Sequence, residues 1–329
     1  MIEPPYDQFI VLDPMLWSGL TMSNNLVVTV VGYDKPGIVA GITSVIAEVN
    51  GNIVSIKAST LSDLFVMNII VDVSKIRCTK EEFIKKLKEK ALQIGVGIAA
   101  EDEKEFLRTK KLIAFDMDGT ILDAEAIDEM AKYAGVQDKV AELTRKAMEG
   151  EIDFAHALKE RVKMLKGLPV KVVEEIAERL PIVKGAEEII RTLKSMKFIT
   201  VLITGGFDLV AKKIAERLGF DYWFANKLGV ENGRLNGEVE VLISGGESKL
   251  RILKQVAEAH GIDLEECIAV GDGANDLLVL EKVGLGIGFK PKPIVEREAK
   301  AVVNINDMRA ILALIASGRS KMSGEGEEE

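Results

Sequence analysis

The sequence predicts a two-domain chain in which a small α+β unit of order βαββαβ precedes a larger α/β unit with a parallel sheet and a helical insertion. The 329 residues exceed the size of one ordinary small domain. Short apolar and β-branched runs alternate with patterns of helical period over most of the chain. Residues 124–180 break this alternation, because they hold helical patterns and no convincing strand pattern.

The smaller unit, residues 25–100, shows both periods in compact succession. Its strand patterns cover residues 26–31, 53–59, 64–71 and 96–99. After the first of these, apolar residues from Ile38 to Val49 recur at helical spacing. Thr79 and Glu82 predict a capping box at the start of the second helix. We expect this unit to bury a core of its own.

The larger unit, residues 111–316, contains the stretch 124–180 as a helical cap insert. Its strand patterns cover residues 112–115, 198–203, 267–270 and 285–288, and helical patterns separate the later ones. A hairpin is predicted at Asn232-Gly233. Strands that alternate with helices favour a mainly parallel, Rossmann-like sheet with helices on both faces.

Three segments fall outside these units. Residues 1–24 are a leader whose loose pattern either a true start at Met22 or disorder would explain. Residues 101–110 are an acidic linker that we expect to be solvated, and 317–329 is a Gly- and Glu-rich tail that we expect to fray. The leader lacks the basic start and apolar core of a signal peptide. No apolar run approaches the roughly 20 residues that span a bilayer. We therefore expect a cytoplasmic protein that does not enter a membrane.

The charge balance limits the partners of the chain. The formal net charge is -9 and the pI about 5.1, which argues against broad binding to nucleic acids or anionic membranes. A site for an anionic substrate must then be locally basic. The chain has only two cysteines, Cys78 and Cys267, and this argues against a disulfide scaffold in a protein of this size.

The strongest chemical signal is Asp116-Met117-Asp118-Gly119-Thr120, directly after the apolar run 112–115. Ligands of parallel sheets bind at the carboxyl ends of the strands, so both carboxylates can face one site. Two bare carboxylates this close repel each other. A hard divalent cation with oxygen ligands relieves the repulsion, and Mg²⁺ is the one we expect.

Three further segments carry polar groups that suit a phosphate site. The segment Gly271-Asp272-Gly273-Ala274-Asn275-Asp276 follows an apolar strand, and Thr204-Gly205-Gly206 follows another, at an expected helix start that suits a phosphate. Lys249 offers a point charge near the start of a helix. Each alone is explained by helix capping, a turn or a solvated lysine. Together they indicate phosphoryl transfer to a carboxylate nucleophile.

These motifs resemble those of the haloacid dehalogenase-like phosphatases, and residues 110–315 resemble the phosphoserine phosphatases among them. The resemblance implies that Asp116 is the nucleophile and Asp118 the general acid/base. It implies that Mg²⁺ is bound by Asp116, by the backbone carbonyl of Asp118 and by Asp272. The residues that it assigns to the substrate are Thr204, Gly205, Lys249 and Asn275, with Asp276 in support. The family usually has Ser at the positions of Gly119 and Thr204.

The cap insert points to the substrate. Its segments at 125–129, 146–150 and 161–162 resemble the cap of phosphoserine phosphatases. By that resemblance Glu125 meets the substrate ammonium, Arg161 meets its carboxylate, and Met148 and Phe154 line the pocket. A zwitterion needs such an anion and such a planar cation beyond the phosphate site. Without the resemblance, helix-end charge complementarity explains Glu125, and a surface position explains Arg161.

The smaller unit resembles an ACT domain, an amino-acid-sensing module. The match is Gly32-Tyr33-Asp34-Lys35-Pro36-Gly37-Ile38-Val39 before the first helix, which a plain turn and helix start would also explain. ACT domains occur on enzymes of amino-acid metabolism and pair edge to edge. The resemblance therefore implies a homodimer, with serine as a candidate feedback effector.

Three functions are compatible with these observations. The first is hydrolysis of L-phosphoserine to serine and phosphate, the last step of serine synthesis. The second keeps the chemistry and changes the substrate to phosphothreonine, phosphohomoserine or a sugar phosphate, although Glu125 and Arg161 argue against sugars. The third is a non-enzymatic amino-acid sensor, against which the complete set of acidic and basic motif residues argues.

Overall fold

The computed structural model describes residues 24–148 and 152–316, so the predicted leader up to residue 23 and the tail from 317 lie outside the described residues. The strands are β1 (Asn25–Tyr33), β2 (Asn52–Leu61), β3 (Leu64–Asp72), β4 (Gly97–Asp102), β5 (Leu112–Phe115), β6 (Ile199–Phe207), β7 (Tyr222–Glu231), β8 (Arg234–Glu240), β9 (Cys267–Gly271), β10 (Leu285–Phe289) and β11 (Ala301–Val303). The helices are α1 (Ile38–Glu48), α2 (Lys80–Ile94), α3 (Glu103–Phe106), α4 (Ala126–Ala134), α5 (Gln137–Met148), α6 (Phe154–Met164), α7 (Val170–Arg179), α8 (Ala186–Ser195), α9 (Asp208–Leu218), α10 (Gly246–Ala259), α11 (Leu277–Lys282), α12 (Pro293–Glu298) and α13 (Arg309–Ala316).

The N-terminal domain has the predicted order βαββαβ. Strand β1 lies between β3 and β4 and pairs antiparallel with both. Helix α2 begins at the predicted capping box, in which the Glu82 amide donates to Thr79 Oγ1 at 3.2 Å and the Thr79 amide donates to Glu82. Phe83 and Leu87 of this helix are fully buried, and each burial stabilises the domain by about 2 kcal/mol.

The second domain is built on a parallel sheet, as the sequence predicts. Strands β11, β10, β9, β5, β6 and β7 lie side by side in that order, all parallel, and β8 adds an antiparallel hairpin partner to β7. Helices α4 to α7 form the predicted helical cap between β5 and β6. The predicted fold class is confirmed for both domains.

The two sheets join into one, which the sequence did not predict. Strand β4 pairs antiparallel with β11 through Ala99–Ala301 and Ile98–Val302. A Cβ at Gly97 would come within 3.1 Å of the Val302 carbonyl oxygen, so glycine allows the two backbones to approach. The order β2-β3-β1-β4-β11-β10-β9-β5-β6-β7-β8 therefore runs through both domains as an 11-stranded sheet.

The expected solvated linker at 101–110 is wrong in part. Strand β4 extends to Asp102 and passes into α3, and the side chains of Glu101 and Glu103 are buried. The Asn25 amide donates to Glu103 Oε2 at 3.0 Å and satisfies that carboxylate. A charge run indicates solvent only when no strand continues through it, and the pairing of β4 with two neighbours is invisible in the local sequence.

An ion cluster also joins the domains, and we call it the interdomain cluster. It consists of Tyr33, Asp63, Lys184, Asp307 and Arg309. The fully buried Asp307 accepts from Tyr33 Oη at 3.0 Å, from Lys184 Nζ at 2.9 Å and from Arg309 Nε at 2.9 Å. Arg309 also donates to Asp63 Oδ1 at 2.8 Å. The cluster thus links the end of β1 and the β2–β3 turn to the start of α13.

The described helices are short, and the longest, α2, has 15 residues. In the two ranges that the structure describes, no helix combines the length and the apolar character that crossing a membrane requires. Strand β11 and helices α12 and α13 lie beyond the last strand that the sequence predicted. A strand of three residues is too short to show a period, which explains why β11 was missed.

Candidate active site

The predicted motif residues meet at one edge of the parallel sheet. Strands β9, β5 and β6 are adjacent, and each is followed by one of the predicted polar segments. Asp116 and Asp118 follow β5, Asp272 and Asp276 follow β9, and α10 brings Lys249 to the same edge. This edge is the expected position for a ligand site in a parallel α/β sheet.

Lys249 is the central cation of the site. Its side chain is 3% exposed, and Nζ lies 2.7 Å from Asp116 Oδ1 and 2.7 Å from Asp276 Oδ1. Burial alone would lower the pKa of this ammonium, but the carboxylates of Asp116 and Asp276 outweigh burial and hold the pKa above its usual value. Lys249 therefore remains positively charged at neutral pH.

The candidate site contains more carboxylates than positively charged side chains. One carboxylate oxygen from each of Asp116, Asp272 and Asp276 lies within 4.8 Å of the others. Burial first, and then the nearby Asp276, raises the pKa of Asp116 to about 7, and burial likewise raises the pKa of Asp272. Three hard oxygen donors in an electron-rich cluster fit a divalent cation such as Mg²⁺. The donor set of this chain is therefore suited to the predicted metal.

Asp118 stands beside this cluster and faces the phosphate-binding segment. Its Oδ1 accepts from the Ala126 amide at 2.9 Å, which fixes the carboxylate at the entrance to the cap. A Cβ at Gly206 would lie 2.8 Å from Asp118 Oδ2 and 3.1 Å from Thr204 Oγ1, so both oxygens border the same small space. Burial and the charge of Glu125 raise the pKa of Asp118 well above its ordinary value.

Gly119 is a position where the conformation requires glycine. Its φ of 75° lies in the left-handed region, and a Cβ there would come 2.8 Å from Asp272 Oδ2. The serine that the resembling family usually carries would be strained against that carboxylate in this chain. The departure noted in the sequence thus has a steric reason here.

Thr204 and Gly205 are placed as predicted in the site but not in the predicted backbone. The sequence suggested a helix start, yet β6 continues through Phe207 and α9 begins only at Asp208. The pairing of β6 with β7 shifts register between Ile203 and Phe207, so the segment is an irregular strand end. The sequence Thr204-Gly205-Gly206 does not show whether these small residues continue the preceding strand or begin the following helix.

The sequence reasoning missed two residues. The Nζ atom of Lys292 lies 3.1 Å from Asp272 Oδ2, and the Lys292 backbone amide donates to the Asp272 carbonyl at 2.8 Å. Asn226 is completely buried in β7, and its amide donates to the Gly205 carbonyl at 2.8 Å. Each left a signal: Lys292 stands between two prolines after β10, and Asn226 is a poor strand former within an apolar strand.

In the cap, Arg161 is buried with weak partners. The side chain is on α6 and is 8% exposed. Its Nε donates to the Ala157 carbonyl at 3.3 Å and Nη1 to Thr144 Oγ1 at 3.2 Å. Within residues 24–148 and 152–316 it forms no ion pair with a carboxylate. Burial lowers the pKa of the guanidinium, while Glu125 and Asp128 oppose that shift.

Glu125 is the N-cap residue of α4, and the residue is exposed. It makes no capping hydrogen bond with the helix, although its charge still complements the N-terminus of α4. Neighbouring atoms partly desolvate its carboxylate and so raise its pKa, an effect that the positive charges of Lys292 and Arg161 oppose. Glu125 and Arg161, both on cap elements, each influence the pKa of the other, since they carry opposite charges.

The remaining predicted residues are placed less completely. Asn275 lies half-buried in the turn between β9 and α11, next to Asp276. Met148 ends α5 and Phe154 begins α6, but their side chains lie outside what the structure describes. Their predicted position in the pocket stays a prediction.

Comparison with protein families matches both domains. The family profile for haloacid dehalogenase-like hydrolases matches residues 110–284, and the profile for ACT domains matches residues 24–101. The first range covers the second domain from β5 to α11, including the cap, and the second range covers the βαββαβ domain.

Individual proteins resemble this chain over both domains or over the second part alone. A phosphoserine phosphatase from Archaeoglobus fulgidus is 40% identical over 302 residues, which is 91% of this chain and 87% of that protein. A solved structure of a haloacid dehalogenase family hydrolase from Salmonella enterica serovar Typhi has a TM-score of 0.79 at 27% identity and covers 89% of this chain and 99% of its own. A phospho-aspartyl intermediate analogue of phosphoserine phosphatase has a TM-score of 0.59 at 44% identity, over 63% of this chain and 100% of its own.

Proposed function

Because this chain belongs to the phosphoserine phosphatases of the haloacid dehalogenase-like hydrolases, we propose that it hydrolyses O-phospho-L-serine to L-serine and inorganic phosphate. The chain is a phosphatase, so the alternative of a non-enzymatic amino-acid sensor is set aside. The relative from Archaeoglobus fulgidus carries the same activity in its name.

The buried Arg161 is the observation that carries the choice of substrate. A guanidinium that is 8% exposed and has no carboxylate partner in the described part of the chain is unfavourable until a ligand supplies the anion. The carboxylate of phosphoserine supplies it, and the solvent-facing Glu125 is available for the substrate ammonium. A sugar phosphate would leave both charges unmatched.

In the first step that we propose, a carboxylate oxygen of Asp116 attacks phosphorus and the bond from phosphorus to the serine oxygen breaks. Asp118 gives its proton to that oxygen, and the raised pKa of Asp118 favours the protonated form that this step needs. The product is an aspartyl-phosphate on Asp116 together with free serine. The analogue that was solved for a 44% identical phosphatase supports such an intermediate.

The second step regenerates the enzyme. Asp118, now ionised, takes a proton from water while the water oxygen attacks phosphorus, and the bond from phosphorus to Asp116 breaks. Inorganic phosphate leaves and Asp118 is protonated again. One residue thus serves both steps, because it loses its proton in the first and recovers it in the second.

The charge on the transferring phosphoryl group must be matched throughout. Lys249 is held 2.7 Å from Asp116 and is the nearest described cation to the reacting carboxylate. Thr204 Oγ1 borders the space beside Asp118, and we propose that it and the adjacent Gly205 amide donate to phosphate oxygens. Asp116, Asp272 and the Asp118 carbonyl would hold Mg²⁺, which when bound neutralises phosphate charge.

The N-terminal domain supports a regulatory role and a homodimer. Its strand β2 is one of the two edge strands of the described sheet, and Val54 and Ile56 on this strand are 47% and 44% exposed. An uncovered strand edge with apolar side chains is suited to pair with a second copy. We propose that two chains pair through this domain, that serine binds there as a feedback effector, and that the enzyme acts in the cytoplasm at the end of serine synthesis.

Phosphate release from L-phosphoserine, with Mg²⁺ and after chelation, tests the activity. Phosphothreonine, phosphohomoserine and glucose 6-phosphate serve as competing substrates. We expect the highest kcat/KM for phosphoserine, poor hydrolysis of the sugar ester, and loss of turnover without metal. Equal rates for the sugar ester would show that the cap does not select a zwitterion. For the N-terminal domain, light scattering and calorimetry with serine test the dimer and the effector; a monomer or the absence of binding heat contradicts the respective proposal.

A further inference from the structure

We infer that Asn226 is a positioning residue for phosphoryl transfer, because its amide holds the Thr204–Gly206 segment against the chain that leads to Lys249. This inference rests on the proposed phosphatase function of the site. Asn226 does not touch the acidic cluster itself; the described hydrogen bonds of its side chain go to backbone groups of the surrounding segments.

The hydrogen bonding of Asn226 is complete. Its side chain is 0% exposed, and Nδ2 donates to the carbonyls of Gly205 at 2.8 Å and Ile243 at 3.0 Å. Its Oδ1 accepts from the amides of Leu242 and Ile243, both at 2.8 Å. Four short bonds to one buried amide fix both partner segments, since losing any of them would leave a buried polar group unsatisfied.

The first consequence concerns the Gly205–Gly206 peptide. Asn226 holds its carbonyl, and its N–H donates to Thr204 Oγ1 at 2.8 Å, so the peptide plane is fixed from both sides. Because Thr204 Oγ1 accepts there, its own proton is directed elsewhere and is available for a phosphate oxygen. A Cβ at Gly206 would lie 2.8 Å from Asp118 Oδ2, so a tilt of this peptide would also disturb the acid.

The second consequence concerns Lys249. The segment held by Asn226, Leu242-Ile243, directly precedes Ser244 and the start of α10. Ser248 Oγ accepts from the amides of Ser244 at 3.0 Å and Gly245 at 3.2 Å, which ties this segment to the first turn of the helix. Lys249 is the next residue. One side chain therefore sets the spacing between the hydroxyl of Thr204 and the ammonium of Lys249.

Spacing of this kind matters more in the transition state than in the bound substrate. A displacement of about 1 Å in a catalytic group can lower a rate by about 100-fold while ground-state contacts adjust. A positioning residue therefore changes kcat with little change in KM. A residue that only stabilises the fold changes the melting temperature and the amount of folded protein, and leaves kcat per folded molecule unchanged.

The test compares Asn226→Ala and Asn226→Asp with the wild type in the full chain with Mg²⁺. For each, kcat and KM are measured with phosphoserine and with p-nitrophenyl phosphate, together with inhibition by phosphate and by vanadate. We expect kcat to fall about 100-fold on both substrates, KM to change little, and vanadate inhibition to weaken more than phosphate inhibition. Asn226→Asp keeps the acceptor oxygen for Leu242 and Ile243, so a similar loss in this variant assigns the effect to the Nδ2 donor, which bridges the carbonyls of Gly205 and Ile243.

Asn68→Ala is the matched control. Asn68 is a buried asparagine of β3 in the N-terminal domain, 4% exposed, whose Oδ1 accepts from Thr29 Oγ1 at 2.9 Å. This variant should lose stability and keep kcat per folded molecule.

Three results would overturn the inference: unchanged kcat in the folded Asn226 variants, an equal kcat loss in Asn68→Ala, or failure of both Asn226 variants to fold, which would make the residue structural. If the wild type hydrolyses p-nitrophenyl phosphate but not phosphoserine, the proposed substrate is wrong, while the ratio of variant to wild type on p-nitrophenyl phosphate still decides the role of Asn226.

Discussion

Two ion clusters in this molecule each contain a buried aspartate that contacts a lysine, and the pKa values of these two aspartates shift in opposite directions. In the interdomain cluster, Asp307 accepts from Tyr33, Lys184 and Arg309, and these hydrogen bonds outweigh burial and lower its pKa to about 2. In the candidate active site, burial and Asp276 outweigh Lys249, and the pKa of Asp116 rises to about 7.

The difference lies in the balance of charge. The interdomain cluster sets two carboxylates, Asp63 and Asp307, against Lys184 and Arg309. The active site sets Asp116, Asp118, Asp272 and Asp276 against Lys249 and Lys292. A cluster whose charges are matched inside the chain stabilises the fold. A cluster with excess acid is suited to take up positive charge from outside, and the two can be separated by mutation.

The sharpest way to separate them is Asp116→Asn. Removal of the proposed nucleophile should lower kcat to less than about one thousandth of the wild-type value, because the carboxylate that attacks phosphorus is gone. Asp276 also contacts Lys249 but is not the proposed nucleophile. Stability should not fall, because one acid leaves a crowded acidic cluster. Phosphate release and thermal unfolding measure the two effects. Retained turnover would contradict the nucleophile assignment.

The opposite pattern is expected for Asp307→Asn. The variant leaves Lys184 and Arg309 without the buried negative charge that they contact, and it replaces one acceptor oxygen with a donor. We expect the free energy of unfolding to fall by about 3 kcal/mol with kcat per folded molecule unchanged. Asp63→Asn is the control, because that carboxylate is half exposed and should contribute less than about 1 kcal/mol. Denaturant unfolding gives both values. Equal losses in the two variants would show that burial of Asp307 is not the cause.

Arg161→Ala probes a cation that has no carboxylate partner inside the described chain. We expect kcat/KM for phosphoserine to fall roughly 30- to 150-fold, which corresponds to a loss of about 2–3 kcal/mol in transition-state binding. We expect little change for p-nitrophenyl phosphate, which has no carboxylate. Arg161→Lys keeps the charge and loses the planar fork, so it should recover only part of the activity. An equal loss on both substrates would place Arg161 in the fold of the cap instead of the binding of substrate.

The smallest predicted effect is the response of the interdomain cluster to acid. The pKa of Asp307 is lowered from 3.8 to about 2, so its contribution to stability is complete above pH 4 and is lost as the pH falls toward 2. At 1.36 kcal/mol per unit the contribution is about 2 kcal/mol. Unfolding measured from pH 5 to 2 should show this loss in the wild type and a shallower one in Asp307→Asn. Parallel curves would contradict the assignment.

The sequence was sufficient to predict the position of a residue wherever that position depends on its own strand end. Asp116, Asp272 and Lys249 were predicted because each follows a strand or starts a helix in a pattern that can be read locally. The irregular end of β6 was misjudged at Thr204, since small residues carry little preference for strand or helix.

Residues whose partners are distant in the chain could not be predicted. Asn226 bonds to segments about 20 residues away on either side, and Lys184 reaches Tyr33 across 151 residues. The pairing of β4 with β11 joins strands about 200 residues apart, and β11 is too short to show a strand pattern in the sequence. Such contacts depend on topology, which the local pattern of apolar residues does not encode.

The seam between β4 and β11 also governs what happens when the chain is cut. Strand β11 borders the parallel sheet, and β4 covers its outer backbone groups at Ala301 and Val302. A fragment that begins at β5 would present these groups bare, and an open β edge recruits other chains. The N-terminal domain therefore covers an edge of the catalytic domain through backbone pairing alone, and this contact does not depend on any amino-acid ligand.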